Sequence, residues 1–147
     1  MRRRWWQVLW RLGRRPVRGC RVLAIDPAGR VLLIRHSYGD RSWMLPGGGI
    51  DRGEAVTAAA ARELFEETAC RLAPVVALGL AEDPGEAMLH EVHLVAGWTA
   101  DAPRADGREI VVAAFHPLDA LPEPMSGKLA ASLPGYVTRA KAARPPG

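Results

Sequence analysis

The chain of 147 residues is 48% hydrophobic and 24% charged, a length and composition that fit one domain with its own core and exclude a second. Its two cysteines, Cys20 and Cys70, lie far apart, which excludes a disulfide framework and a cysteine-rich zinc site and predicts a reducing, cytoplasmic location. The net charge of +4 is unevenly distributed: eight of the twenty basic residues lie within positions 1–21, which hold no acidic residue, and the other twelve accompany sixteen acidic residues.

Residues 1–18 predict a basic amphipathic helix, which we call the N-terminal arm. On a helical wheel its arginines gather on one side and its apolar side chains on the other; the apolar set is Trp5, Trp6, Leu9, Trp10 and Leu12. The arm is too short to span a bilayer, and no cleavage site of a secretory signal follows it. Three alternatives stay open for the arm. It docks onto its own domain or onto the second copy of a homodimer, it binds an anionic membrane surface or nucleic acid, or it is disordered.

Strand patterns begin after the arm, where we place the start of a domain spanning residues 19–138. The apolar runs 22–25 and 31–34 flank the sequence Asp-Pro-Ala-Gly at positions 26–29. Proline and glycine at those places suit a tight reversal of the chain. The pattern therefore predicts a β-hairpin.

Three consecutive glycines at positions 47–49 follow Pro46 and interrupt the regular pattern. We expect them to form a loop, and glycine backbone can approach a ligand closely. Alanines 58–61 then predict a helix that carries Leu64 on its buried stripe. The segment 46–70 is thus predicted to be a glycine loop that leads directly into a helix.

Three carboxylates share one face of this predicted helix. Glu63, Glu66 and Glu67 lie at i, i+3 and i+4, where neighbouring like charges destabilise a bare helix. The arrangement therefore predicts a bound cation. Several oxygen ligands suit a hard ion such as Mg²⁺ or Mn²⁺, which completes its shell with water and phosphate oxygens.

Downstream of this helix, strand patterns alternate with polar loops, and a further helix closes the sequence. The predicted strands are 75–80, 88–98 and 108–116, the predicted helical segments are 117–122 and 126–133, and a flexible tail covers 139–147. Strands that precede and follow a helix in the sequence, with another helix at the end of the chain, indicate a mixed sheet covered on both faces. This pattern is compatible with either an α/β or an α+β fold.

The stretch beginning at Gly48 resembles the Nudix box of MutT-like hydrolases, in which a glycine, five residues, a glutamate and seven residues precede Arg-Glu-apolar-x-Glu-Glu-x-Gly-apolar. The positions that match in register are Gly48, Glu54, Arg62, Glu63, Leu64, Glu66 and Glu67. Ala69 and Cys70 depart, because the family has glycine and a larger aliphatic residue there. A left-handed helix cap at Ala69 would cost about 1 kcal/mol. A surface helix with paired charges would explain the glutamates but not the glycines at this offset.

The resemblance covers about residues 19–135 and implies the α/β/α Nudix sandwich with a mixed sheet. It implies a hydrolase that splits a nucleoside diphosphate linked to another moiety into a nucleoside monophosphate and a phosphorylated product. It also implies a divalent metal on Glu63, Glu66 and Glu67, together with the carbonyl of Gly47. Arg62 would orient a glutamate, and either Glu63 or a loop glutamate would be the general base.

Other residues receive roles from the resemblance and from their positions. Glu54 would support the glycine loop or a water molecule near the metal. Arg35, at the end of a predicted strand, either contacts substrate phosphates or is a solvated strand end. Trp43 either stacks on a base or packs against its loop, and Gly48 lets the backbone approach the substrate.

A further carboxylate from a later loop or strand is expected, since a diphosphate can recruit more metal than three glutamates hold. The candidates are Glu82, Asp83, Glu86, Glu91 and Glu109. Glu109 is favoured because it begins a strand that resembles the later part of the Nudix pattern, whereas Glu91 lies within a strand and can simply face solvent. Glu109 is therefore included among the predicted metal ligands.

The nucleotide substrate stays open between ADP-ribose, a nucleotide sugar and a (d)NTP. The sequence lacks the tyrosine associated with dinucleoside polyphosphates and the motif associated with NADH. Pro84 lies 14 residues after Cys70, short of the offset of roughly sixteen associated with ADP-ribose activity. Two alternative functions are an RNA 5′-end pyrophosphohydrolase that uses the basic arm and a non-catalytic nucleotide sensor, although a sensor would not need the glutamates.

Overall fold

The computed structural model describes residues 18–82 and 91–147. The predicted N-terminal arm, apart from Arg18, and the candidate carboxylates Asp83 and Glu86 lie outside these ranges. The strands are β1 (Arg18–Ile25), β2 (Val31–His36), β3 (Gly47–Gly49), β4 (Val75–Leu80), β5 (Glu91–Trp98) and β6 (Ile110–His116), and the helices are α1 (Val56–Thr68), α2 (Gly127–Ala143) and a single 3-10 turn at Leu118–Ala120. In the described part of the chain no helix is long and apolar enough to cross a membrane.

The six strands form one mixed sheet in the order β4-β5-β1-β2-β6, with β3 paired to β1. β1 and β5 run parallel, and the other named pairs are antiparallel. One edge of β1 pairs with β5 along its whole length. Its other edge is shared, because β2 pairs near Ile25 and β3 pairs with residues 19–21. The glycine segment is thereby held inside the sheet beside its central strand.

Each face of the sheet is covered by one α-helix. Alternate residues of β1 point to opposite faces, so that Val22 packs with Leu64 in the core under α1, while Leu23 packs with Leu133 and Tyr136 in the core under α2. The structure therefore confirms an α/β fold with a mixed sheet between two helical layers.

The predicted hairpin is confirmed, with longer strands than expected. Ile25 pairs with Val31, and the amide of Gly29, at φ +79°, donates to the carbonyl of Asp26 over 2.9 Å. The Asp26 carboxylate also accepts a hydrogen bond from the Arg30 amide (2.8 Å) and pairs with the Arg30 guanidinium (2.7 Å). Side-chain bonds of this kind stabilise the turn beyond what the Pro-Gly spacing indicates.

Two predictions about the strands are wrong. The glycines at 47–49 are a short strand rather than a loop, because β1 supplies a paired edge for them. β6 begins at Ile110, two residues later than expected, since the Asp106 carboxylate accepts the amides of residues 108–110 and holds them in a turn. Glu109 therefore precedes the strand that it was predicted to begin.

The last helix is also longer than predicted. It runs past Pro134 to Ala143, so the predicted end at Leu133 is wrong, and residues 139–143 of the predicted flexible tail are helical. The physical reason is a buried stripe that continues beyond the proline through Tyr136 to Ala140, which is completely buried. Burial of this stripe outweighs the cost of proline inside a helix.

The end of α1 shows the expected effect of alanine in place of glycine. Ala69 adopts φ 62° and ψ 15°, and its amide donates to the carbonyl of Phe65 over 2.9 Å. This is a left-handed C-cap, a conformation in which an L-residue with a Cβ is disfavoured. The expectation from the sequence is confirmed, and the cap is formed despite its cost.

Replacing Ala69 by glycine should stabilise the protein by up to about 1 kcal/mol, because relief of the left-handed strain exceeds the extra entropy of glycine in the unfolded chain. Urea denaturation of Ala69→Gly would measure this. The control Ala61→Gly, inside the same helix, should instead lose about 1 kcal/mol. A loss of stability in both variants would contradict the strain assigned to the cap.

Candidate active site

α1 places two buried carboxylates over the glycine strand. Glu63 is 4% exposed and Glu67 is completely buried. A Cβ at Gly48 would lie 2.6 Å from the Cδ of Glu63, and the amide of Gly47 donates to Oε1 of Glu67 over 2.8 Å. Glycine is therefore needed at position 48 because the Glu63 side chain occupies the space that a side chain there would fill, whereas at position 47 an added Cβ would collide with the backbone carbonyl of Cys20.

Arg62 connects the carboxylates to one another and to β3. Its Nε and Nη2 donate to the two oxygens of Glu54 over 2.9 and 2.8 Å. Its Nη1 donates to Oε1 of Glu63 over 2.9 Å and to Oε1 of Glu66 over 3.5 Å, and Nη2 reaches the carbonyl of Gly49 over 3.1 Å. The hydrogen bonds to Glu54, followed by the charge of Glu63, raise the pKa of Arg62 despite its burial. The guanidinium is a permanent cation among acids.

Glu54 forms a turn at the start of α1 as well as its ion pair. Its Oε1 accepts the amide of Asp51, and its own amide donates to the Asp51 carbonyl, each over 3.0 Å. A bidentate pair of this type fixes both partners in direction. The predicted role of Glu54 in supporting the loop agrees with this position.

The carboxylate cluster retains oxygens that the protein does not hydrogen-bond. Oε2 of Glu63, of Glu66 and of Glu67 is buried and has no hydrogen-bond partner among the described residues. A buried acceptor without a partner is costly, and more so when it is charged. These oxygens, together with an excess of negative charge over the single positive charge of Arg62, fit a divalent cation.

The cluster is not a closed metal cage. In residues 18–82 and 91–147, no three acidic, histidine or cysteine side chains already converge as ligands of one ion. One oxygen each of Glu63 and Glu66 is directed to Arg62 instead. Because Mg²⁺ binds through one or two carboxylates and completes its shell with water and phosphate oxygens, a half-open arrangement still fits it.

Cys20 lies under the cluster on β1, opposite Gly48. Burial raises the pKa of its thiol to about 12, and the charges of Glu63 and Glu67 act in the same direction. The thiol therefore stays protonated at neutral pH, when it is a poor metal ligand. The buried thiol of Cys20 therefore has a structural role in the core under α1.

Arg35 and Trp43 contact each other. Nε of Arg35 donates to the carbonyl of Arg41 over 2.7 Å, and its guanidinium lies 5.8 Å from the centre of the Trp43 ring. On another side, Trp43 meets His116 edge-on, with ring centroids 4.8 Å apart. The described contacts of both residues are with their own loop and sheet face, and their predicted substrate roles stay predictions.

The two main candidates for a further carboxylate lie at the starts of different strands, Glu109 just before β6 and Glu91 as the first residue of β5. Glu109 precedes β6, where its carbonyl accepts the amide of Ser37 over 2.8 Å. Glu91 begins β5 and pairs with Arg18 (4.0 Å) and His93 (3.3 Å), with its side chain 53% exposed. The ion pair and exposure of Glu91 agree with a surface role, and Glu109 as a metal ligand stays a prediction.

A cavity of about 210 Å³ on the α2 side of the sheet was not predicted from the sequence. Its walls include Arg21, Asp40, Trp43, Leu45, Leu129 and Tyr136. One signal does exist in the sequence, because the charged Arg21 directly precedes the apolar run 22–25 of the same strand. The other walls come from a loop and from α2, and only folding brings them to Arg21.

Comparison with known proteins shows the family of this chain. The family profile of the NUDIX domain matches residues 15–136. The chain belongs to the NUDIX family. Its fold is shared with the crystal structure of a MutT NUDIX hydrolase from Burkholderia pseudomallei, with a TM-score of 0.61, 27% identity, and coverage of 82% of this chain and 97% of that one.

Relatives of this Nudix protein carry different functional names. An RNA pyrophosphohydrolase of Azorhizobium caulinodans is 47% identical over 75 residues, covering 46% of this chain and 44% of the relative. A putative 8-oxo-dGTP diphosphatase of Bacillus subtilis is 34% identical over 92 residues, covering 62% and 60%. The chain thus spans less than two thirds of the length of either curated relative.

Gly48→Ala should weaken metal binding by the carboxylate cluster, because the new Cβ would displace the Glu63 carboxylate. Titration with Mn²⁺, followed by electron paramagnetic resonance, would measure the affinity. Gly135→Ala is the matched control, since that glycine lies in α2 and has no atom within 4 Å of an added Cβ. Wild-type affinity in Gly48→Ala would show that Glu63 is not a ligand.

Proposed function

We propose that this Nudix protein is a metal-dependent hydrolase that cleaves a nucleoside diphosphate linked to another moiety and releases a nucleoside monophosphate and a phosphorylated product. The observation that carries the proposal is the cluster of Glu63, Glu66 and Glu67, each with a buried oxygen that accepts no hydrogen bond from the described protein. A purely structural network around Arg62 would pair those oxygens within the protein.

The chemistry follows from charge. Diphosphate oxygens repel an incoming hydroxide, so a catalyst must neutralise them, supply a deprotonated water and stabilise the departing oxygen. A divalent cation bound by Glu63, Glu66 and Glu67 would neutralise phosphate charge and lower the pKa of a bound water. The carbonyl of Gly47 would be a further ligand in the same cluster.

The protein side chains supply position and a proton acceptor. Arg62 holds Glu63 in a fixed orientation through a 2.9 Å bond, and it fixes Glu54 at the start of the helix. An ionised carboxylate at the site can accept the proton of the attacking water. Glu63 is one candidate for this general base, and a loop glutamate is the other.

A second candidate function is pyrophosphohydrolysis at the 5′ end of RNA. It is favoured by the relative named RNA pyrophosphohydrolase, at 47% identity over 75 residues, and by the eight arginines among residues 1–21. Such a stretch of arginine would bind the phosphates of a longer nucleic acid. A non-catalytic sensor receives less support, because binding a nucleotide does not require the clustered carboxylates.

Hydrolysis should require divalent metal. Glu66→Gln and Glu67→Gln should each lower kcat by about two orders of magnitude or more, since each removes a charged ligand from the cluster. Product assays with Mg²⁺, with Mn²⁺ and in EDTA would measure this on ADP-ribose, nucleotide sugars, dinucleotides and (d)NTPs. The exposed Glu123→Gln is the control and should keep wild-type rates. Full activity in EDTA, or in both glutamate variants, would rule the proposal out.

Deletion of residues 1–15 separates the two candidate substrates. For small nucleotides the truncated protein should stay within about ten-fold of the wild-type kcat/KM, because the carboxylates and β3 lie beyond the deletion. For 5′-triphosphorylated RNA, binding should weaken and its dependence on salt should become shallower if the arm holds the RNA backbone. A folded truncated protein that turned over no small nucleotide would place the arm in the catalytic function.

A further inference from the structure

The N-terminal arm joins the domain at the centre of the sheet. β1 begins at Arg18, whose carbonyl accepts the amide of Ile50 over 3.1 Å. On its other side Arg18 is the Cα partner of Glu91, the first residue of β5. The two side chains also form an ion pair, with 4.0 Å between Nε of Arg18 and an oxygen of Glu91. The arm therefore starts beside β5, one strand away from the sheet edge that β4 forms.

The edge strand β4 presents an apolar surface close to this junction. Leu80 is 57% exposed, and the neighbouring Ala77 and Gly79 are small and exposed. Leu80 is the Cα partner of His93 on β5, and His93 is the Cα partner of Cys20 on β1. Two inter-strand spacings thus place Leu80 about 10 Å from Cys20, which lies two residues after the start of β1.

This edge is poorly suited to pairing with another strand. Its ladder with β5 shifts register between Ala77 and Leu80, and Gly79 has φ +86°. The carbonyl of Leu78 accepts a hydrogen bond from the guanidinium of Arg139 on α2. An irregular edge of this kind does not continue a sheet. The small exposed residues beside Leu80 instead leave room for bulky side chains of a helix.

The predicted arm has the length, the apolar side and the charge to cover this surface. Residues 1–17 contain three tryptophans, six arginines and no acidic residue. A helix of that length is about 25 Å long, more than the distance from the junction to Leu80. Each buried tryptophan contributes about 150–250 Å² of contact. Two exposed acids, Glu82 and Glu91, lie at the same end of the sheet, with side-chain exposures of 72% and 53%.

We propose that the N-terminal arm folds back on its own domain and packs Trp5, Trp6 and Trp10 against the β4 edge at Leu80. Arginines at the border between the two sides of the arm lie beside Glu82 and Glu91, and the other arginines face solvent. Packing of the apolar side stabilises the helix, since most helical stability in proteins comes from an amphipathic face. The contact goes beyond the proposed function and does not depend on it.

Hydrogen exchange of the full chain, read by mass spectrometry without metal, nucleic acid or lipid, tests the contact. Amides of the arm should be protected in the wild type. Leu80→Lys should speed their exchange by about ten-fold or more, the equivalent of losing the burial of one leucine. Val111→Lys is the matched control, because Val111 is 55% exposed on the opposite edge strand; it should keep the protection. Equal exchange of the arm in the wild type and Leu80→Lys would overturn the inference.

Dilution of the wild-type protein distinguishes the two possible acceptors. A contact within one chain keeps the same protection at every protein concentration, whereas a contact with a second copy is lost on dilution. Protection that disappears on dilution, or that appears only after RNA or anionic vesicles are added, would overturn the inference.

A double-mutant cycle supplies a second readout. Deletion of residues 1–15 should lower the Tm of the wild type and speed the exchange of the β4 amides. The same deletion in Leu80→Lys should have little further effect, because the contact is already lost. Additive losses would show that the arm and Leu80 act separately and would contradict the proposal. Neither test measures metal binding or hydrolysis, so a failure of the proposed function would leave both results in force.

Discussion

The ion pairs of one buried guanidinium hold the site together. Arg62 contacts Glu54 from the turn before α1, two glutamates from its own helix, and the carbonyl of Gly49 on β3. Turn, helix and strand therefore share a single fixed partner. A lysine could not make these bonds together, because it lacks the planar fork of donors that reaches several oxygens at once.

The same network explains why the cluster is strongly charged and yet ordered. Removing charge from water is costly unless partners replace the water. Arg62 and the amide of Gly47 supply such partners to one oxygen of each helix glutamate. The second oxygen of each is left in a buried position without one. These buried oxygens without partners lower the stability of the fold, and a bound cation would satisfy them. Local departures from the usual rules of stability of this kind are expected at functional sites.

The side chains of the central strand β1 alternate between the two faces of the sheet. Alternation along the strand places Cys20 under the carboxylates and Arg21 in the cavity, while Val22 and Leu23 continue into the two separate cores. Because β3 covers the same end of β1, the carboxylate cluster on one face and the cavity on the other are separated by one strand.

Local patterns in the sequence determined helix α1, the hairpin and the carboxylate face, because hydrophobic periodicity, turn residues and i, i+3, i+4 spacing act between near neighbours. Only the tertiary structure decided what depends on distant partners. The glycines form a strand because they pair with the edge of β1. The last helix continues past Pro134 because its residues up to Ala140 are buried, and Arg21 and Tyr136 line the same cavity. Such pairings are set by packing between elements, which no local pattern encodes.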